Sequence, residues 1–302
     1  MVTTESAMTL PPVLDAIEAA LRMEEDSWNP LVLHVSDLGY TLPDALCPRQ
    51  LWLRLRDAPK RELHRGELLM FRNAKEMHLD MTMLLGAGLA KVAPGWKIAY
   101  VEHSYRAEAG VDLGLEPDED VIDKGQLDVE LHGPNGEVVI VDWKTVRGNA
   151  FRYIDATGPK STNVLQVRTY ARKRDAVAAL LAYVDREGQN FGREFMVTRD
   201  DAAVVEAAHK ARAIADADIA PPLMRAKLER KENKGPDALS IVAPWQCERC
   251  PFHRISCPGA LEEGVECGKV IANITDKGEL KLKTDNKATI AALDMLLPDL
   301  SA

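Results

Sequence analysis

The stretch Val138-Val139-Ile140-Val141-Asp142-Trp143-Lys144-Thr145 opens with four consecutive β-branched residues and then places an acid and a lysine two positions apart. Strand side chains alternate between faces with period two, so Asp142 and Lys144 share one side while Val141 and Trp143 occupy the other. A surface hairpin with its charges in water would account for Lys144. It accounts poorly for Asp142, because a carboxylate in so apolar a run is costly unless it is paired or holds a metal ion.

Upstream, Gly125 to Leu131 reads as a second strand carrying Asp128. The intervening Gly133-Pro134-Asn135-Gly136-Glu137 sets which face Asp128 takes. A loop of even length puts the two acids on opposite faces, whereas a three-residue loop puts them on the same one. Pro134 and Asn135 suit the middle of a type I turn, and Gly136 suits the left-handed residue that closes it as a bulge. Gly133 then pairs with Glu137, and Asp128 falls opposite Asp142. Directly opposed Cβ atoms are roughly 5 Å apart, near enough for both carboxylates to share one divalent ion. Lys144 follows on the same face, within reach of a phosphate or an attacking water.

Cysteines form a second constellation. Cys247, Cys250 and Cys257 give C-x2-C-x6-C, and Cys47 stands 200 positions earlier. Proline follows Cys47, Cys250 and Cys257, fixing the local backbone and removing a competing N–H donor. Four thiolates suit either a [4Fe-4S] cluster or a structural zinc. Disulfides and isolated buried thiols are the competing readings; a polar N-terminus without an apolar signal segment weighs against disulfides. Cys267 is the odd cysteine and is expected to stay outside the group.

The segment from Asn163 to Asp185 reads as one helix. Gln166 and Tyr170, four apart, project from one face, with Lys173 a turn beyond; Val164, Val167 and Ala171 form an adjacent apolar stripe. Arg168, Arg172, Lys173 and Arg174 make a local basic patch, which is either a solvated face or a phosphate contact.

Taken together, Gly125-Gln126-Leu127-Asp128, Asp142-Trp143-Lys144, Gln166-x-x-x-Tyr170 and the four cysteines resemble the RecB-type branch of the PD-(D/E)XK nucleases. The similarity is to its iron–sulfur subgroup, which includes CRISPR-associated exonucleases, their phage relatives and the AddB nuclease domain. The motifs run from Cys47 to Cys257, in the order of one cysteine, the nuclease core, then three cysteines. The resemblance implies an α/β core with a mixed sheet flanked by helices and an iron–sulfur subdomain built from Cys47, Cys247, Cys250 and Cys257. It implies a metal site for Mg²⁺ or Mn²⁺ formed by His78, Asp128, Asp142 and the Trp143 carbonyl, with Lys144, Gln166 and Tyr170 completing the catalytic set. Asn73 or Ala74 stands where relatives commonly carry glycine before the histidine. Glu102 matches an acid of the first core strand and is a further candidate. Pro117-Asp118 lies in an acidic run that reads as a solvated loop.

The implied activity is exonucleolytic hydrolysis of DNA, on single strands or duplex ends, in recombination, repair or phage DNA processing, with Arg168, Arg172 and Lys173 guiding the strand. Two other readings stand beside it. One is a catalytically weak DNA-end-binding or adaptor subunit of a recombination or CRISPR-adaptation complex; the other is a zinc-stabilised interaction protein.

At 302 residues the chain can bury a substantial core. Its 46% hydrophobic content excludes a disordered chain. No apolar run is long enough to span a bilayer, and five cysteines in reduced form fit the cytoplasm. The net charge of −9 argues against a protein that coats DNA indiscriminately, but not against a local basic channel or a metal site.

Four segments are expected: an N-terminal helical region (1–65), the nuclease core (66–228), a linker with the cysteine cluster (229–267) and a tail (268–302). Helices are expected at Pro11 to Asp26, Leu51 to Arg56, Gly66 to Leu85, Asp200 to Ala217 and from Lys287. Strands are expected at Lys97 to Arg106, Gly125 to Leu131, Val138 to Lys144 and Gly192 to Thr198, a turn at Gly188-Gln189-Asn190, and a small hairpin near Asp276-Lys277-Gly278. Arg230 to Pro236 reads as a linker.

Overall fold

The computed structural model describes residues 17–22, 31–43, 45–106, 124–188, 192–230, 238–248, 250–260, 265–267, 269–275 and 279–297. A short helix at 17–22 (α1) and a 3-10 helix at Val35–Thr41 precede α2 (Pro48–Arg54) and the 28-residue α3 (Arg65–Val92). The strands β1 (Lys97–Arg106), β2 (Lys124–His132) and β3 (Val138–Val146) follow, then α4 (Gly148–Thr157) and α5 (Ser161–Lys173). After them come β4 (Ala178–Asp185), β5 (Arg193–Thr198) and α6 (Asp201–Asp216).

These five strands form one mixed sheet in the order β1-β2-β3-β4-β5. All neighbours are antiparallel except β3 and β4, which run parallel, with α4 and α5 making the crossover between them. A parallel pair needs such a crossover, and that requirement places α5 beside the end of β3 where Asp142 and Lys144 stand. Ile140, Leu181 and Val197 pack with Phe151, Val167, Ala171 and Val204 on the α4–α6 side of the sheet. Val129, Val141 and Trp143 pack on the other side, against Met81, Leu85 and Leu89 of α3. Each such aliphatic, fully removed from water, contributes about 1.5–3 kcal/mol.

The segment expected as a single helix from Asn163 to Asp185 is two elements. The α5 helix stops at Lys173, Asp175 takes a left-handed backbone (φ 50°), and Ala178–Asp185 is the central strand β4. Its Ala- and Leu-rich sequence carries helix propensity, yet neighbours on both faces bury it, and packing overrides a weak local preference.

A second, four-stranded antiparallel sheet contains β6 (Lys227–Arg230), β7 (Ala238–Val242), β8 (Ala272–Ile274) and β9 (Leu280–Leu282). Its core of Leu239, Ile241, Ile271 and Ala272 also takes Ala292 and Leu293 from α8 (Lys287–Leu296). A short helix, α7 (Trp245–Glu248), carries Cys247. The boundaries drawn at 229 and 268 therefore run through a folded sheet rather than around a linker and a tail. Residues 231–236, 189–190, 276–278 and 117–118, and most of the N-terminal helix expected at 11–26, lie outside the described residues. Among the described residues no helix is long and apolar enough to cross a membrane.

Candidate active site

The hairpin loop has the geometry that its sequence dictates. Gly133 N–H donates to Glu137 O at 2.8 Å, Gly136 N–H to Gly133 O at 3.2 Å, and Gly136 has φ 89°, a conformation that a side chain would strain. From there the ladder runs through His132↔Val138, Leu131↔Val139 and Glu130↔Ile140 to Val129↔Val141, where it ends. One more pair would set Asp128 against Asp142. Instead the Asp128 carboxylate enters the gap between the strands, and its Oδ2 accepts the Trp143 N–H at 2.7 Å. The strands part here, which is why Leu127 and Val129, two apart, belong to cores on opposite sides of the sheet.

That parting lets both sides of the sheet supply groups to one place. From the α3 side, His78 Nδ1 stands 3.3 Å from Asp128 Oδ2. The helix is held there by Thr82, one turn on, whose hydroxyl donates to His78 O at 2.8 Å and accepts the Trp143 indole N–H at 3.0 Å. Trp143 thus has its ring anchored on α3.

From the α5 side, Gln166 Oε1 accepts a hydrogen bond from Lys144 Nζ at 2.9 Å, and Gln166 Nε2 donates to the Tyr170 hydroxyl at 3.2 Å. Tyr170 is 2% exposed. Burial, together with the nearby Asp142 carboxylate, pushes its phenol pKa upward and keeps it protonated.

Asp142 is the most buried charge of the group, at 1% exposure. Lys144 Nζ lies 2.6 Å from its Oδ2. The contact is a charge-assisted one in which the ammonium faces a fully buried carboxylate oxygen. Burial pushes the Asp142 carboxyl up to about 6, a rise that Asp128 adds to and Lys144 opposes. Burial works against the Lys144 ammonium, but Asp142 outweighs it and raises the Lys144 pKa above the usual lysine range. Among the described residues no three His, Cys, Asp or Glu side chains are gathered tightly enough to hold a single metal ion as they stand. At this site Lys144 is drawn onto the Asp142 oxygen that a cation would take.

Glu102 lies opposite Asp128 in the β1–β2 register, between Val101↔Val129 and His103↔Leu127. Its φ of 47° is unusual for a residue with a side chain and costs of order 1–3 kcal/mol.

The basic patch of α5 packs beside the start of α6. Arg168 and Arg172 lie on the face of α5 away from Gln166 and Tyr170, where Arg168 Nη1 meets Asp200 Oδ2 at 3.3 Å and Arg172 Nη1 meets Asp201 Oδ2 at 3.4 Å. They dock α5 onto the start of α6, and Lys173 sits on the last turn with interactions of its own. Three supporting residues escaped the sequence reading. Thr82 is recognisable afterwards as the position four after His78. Asn163, three before Gln166, donates to the Tyr183 hydroxyl at 2.7 Å. Tyr183 is the β4 partner of Lys144.

Away from the acids, Cys47, Cys247, Cys250 and Cys257 line one cavity, together with His253 and Gly259. None is in a disulfide, and Cys267 is exposed and outside the lining. Both ends of the chain are fastened around it: Gln246 Nε2 donates to Ala45 O at 3.5 Å, Arg61 N–H to Pro251 O at 2.9 Å, and the Ser256 hydroxyl to Pro59 O. Gly259 has φ 84°, and a Cβ there would collide with the His253 ring. Burial, reinforced by the neighbouring Cys47 and Cys257 thiols, pushes the Cys247 and Cys250 thiols up.

No family model matches the chain, and no curated protein does. Among solved structures it is similar to SSO0001, at 18% identity and a TM-score of 0.48 over 82% of this chain and 97% of that one. It is also similar to LHK-Exo, an alkaline exonuclease from Laribacter hongkongensis (13%, 0.41, 64% and 90%). A phage-related exonuclease from Haemophilus somnus 129PT is a further neighbour (13%, 0.36, 62% and 96%). These likenesses are remote.

Proposed function

We propose that the chain is a metal-dependent deoxyribonuclease, an exonuclease that hydrolyses phosphodiester bonds. The observation that carries this reading is the meeting of Asp128, Asp142, Lys144 and His78 where β2 and β3 part. The buried Asp142 carboxylate, faced by Lys144, and the Asp128 carboxylate are hard oxygen donors of the kind that Mg²⁺ and Mn²⁺ take. His78 and the Trp143 carbonyl complete the proposed ligand set. A divalent ion held there supplies Lewis acidity toward the phosphate and makes water a better nucleophile.

The protein's own groups do the rest. With Asp142 holding such an ion, Lys144 would face the phosphate, where it would offset negative charge as the new P–O bond forms and the old one breaks. Gln166 keeps the ammonium aimed through its 2.9 Å hydrogen bond, and Tyr170 keeps Gln166 aimed in turn. Phosphate and metal contacts read little base identity, so cleavage is expected to be sequence-independent.

Cys47, Cys247, Cys250 and Cys257 are proposed to hold a [4Fe-4S] cluster in a structural role. Support comes from the donor chemistry of four unpaired thiols on one cavity, drawn from both ends of the chain. Cleavage of end-labelled single- and double-stranded DNA, with and without Mn²⁺, tests the activity. Metal-dependent release of nucleotides from an end supports it; DNA binding without cleavage at any metal concentration replaces it with the binding-subunit reading.

A further inference from the structure

One stripe of α3 runs through Leu68, Phe71, Lys75, His78, Thr82, Leu85 and Leu89, at alternating spacings of three and four that keep all seven on one side of the helix. Leu85 and Leu89 pack under the sheet and Thr82 is buried, so this side of α3 faces the protein. At the other end Leu68 is buried at 5%, near the capping box of His64 and Glu67. Between the two ends the stripe is open: Phe71 is 54% exposed and Lys75 is exposed.

An exposed aromatic and a cation one turn apart therefore follow directly from His78, with Phe71 about 10 Å along the helix from it. Arg61, whose backbone reaches Pro251 in the cysteine loop, also clamps Glu67 through two hydrogen bonds of 2.7 Å. The open span thus lies on a helix fixed at both ends, between the cysteine cavity and the acids.

We propose that Phe71 and Lys75 form a single-strand subsite, in which Phe71 stacks on an unpaired nucleobase and Lys75 meets the adjoining phosphate while the next phosphodiester lies at His78 and Asp128. This rests on the nuclease reading above and narrows its substrate to DNA with unpaired nucleotides at the site. A ring face suits any base, which agrees with a site that has no sequence readout. A base stacked on both sides within a duplex has no free face to offer the ring.

The test measures binding of a fluorescent single-stranded oligonucleotide and of a blunt duplex across a salt series, with calcium in place of magnesium. Phe71→Ala should weaken single-strand binding roughly ten- to a hundredfold, Phe71→Trp should keep it, and duplex binding should change little. Lys75→Gln should lower the salt slope by about one. Unaltered single-strand binding by Phe71→Ala, in a protein whose wild type cleaves DNA, overturns the subsite and leaves the nuclease standing. Wild-type protein that neither binds nor cleaves DNA removes both. Light scattering that finds the wild type dimeric and Phe71→Ala monomeric overturns the subsite in favour of a contact between copies.

Discussion

The Trp143 amide gives its hydrogen bond to a side chain, Asp128 Oδ2 at 2.7 Å, where a regular ladder would give it to the backbone of β2. Asp128 thereby serves the fold and the site at once, and two substitutions separate these roles. Asp128→Asn keeps an oxygen for the amide and should stay within about 1 kcal/mol of wild-type stability in urea while losing metal-dependent cleavage. Asp128→Ala leaves the amide without its partner and should cost about 1–3 kcal/mol as well. Equal stability of the two variants would remove the structural role.

Thr82 joins Trp143 to the helix that carries His78. Thr82→Val preserves shape but leaves the buried indole N–H unpaired, and should destabilise the protein by about 1–3 kcal/mol. The same change should weaken Mn²⁺ binding measured by calorimetry, because His78 loses its anchor one turn away. A stable variant with unaltered Mn²⁺ affinity would show that His78 is held by something else.

Hydrogen bonds from Arg61 and from the His64 backbone bring the Glu67 carboxyl down to about 2. A carboxylate depressed in the folded state contributes stability that is complete above its unfolded pKa, near 4.5, and is lost as pH falls toward 2. Glu67→Gln should therefore lower stability by about 1 kcal/mol at pH 7, as loss of a helix cap does. The gap to wild type should narrow steadily below pH 4.5. A gap independent of pH would place the effect in packing.

The hairpin was legible because Pro134, Asn135 and Gly136 each demand a particular backbone, and a loop of known length fixes parity. Gln166 and Tyr170 were legible as four-apart neighbours, though the end of their helix was not. Asp175 takes the left-handed turn without a glycine to advertise it, and Ala178 to Asp185 lacks the β-branched run that marks β3. The strand β6, only four residues long, carries too little period-two pattern to be recognised, whereas the antiparallel pair of β8 and β9 was legible from the turn signal Asp276-Lys277-Gly278 between them. The ion pairs of Arg168 and Arg172 were not legible because their partners, Asp200 and Asp201, lie some thirty residues away in sequence. The splaying at Asp128 was invisible for a different reason: alternation predicts faces, not where a ladder gives way.

The thiol cavity separates Cys47 from Cys267. Cys47→Ser should lose iron, visible absorbance and solubility when purified anaerobically, whereas Cys267→Ser, outside the lining, should match wild type. A colourless, zinc-containing wild type would contradict the cluster and leave the cavity a zinc site.

The most direct test of the account is the rate at which wild type and Lys144→Ala cleave end-labelled single-stranded DNA in Mn²⁺, measured alongside their affinity for the same strand. Lys144 acts chiefly as charge develops on the phosphate, so the account predicts a fall in rate of at least about a hundredfold with affinity changed severalfold at most. Cleavage by Lys144→Ala at the wild-type rate would contradict it.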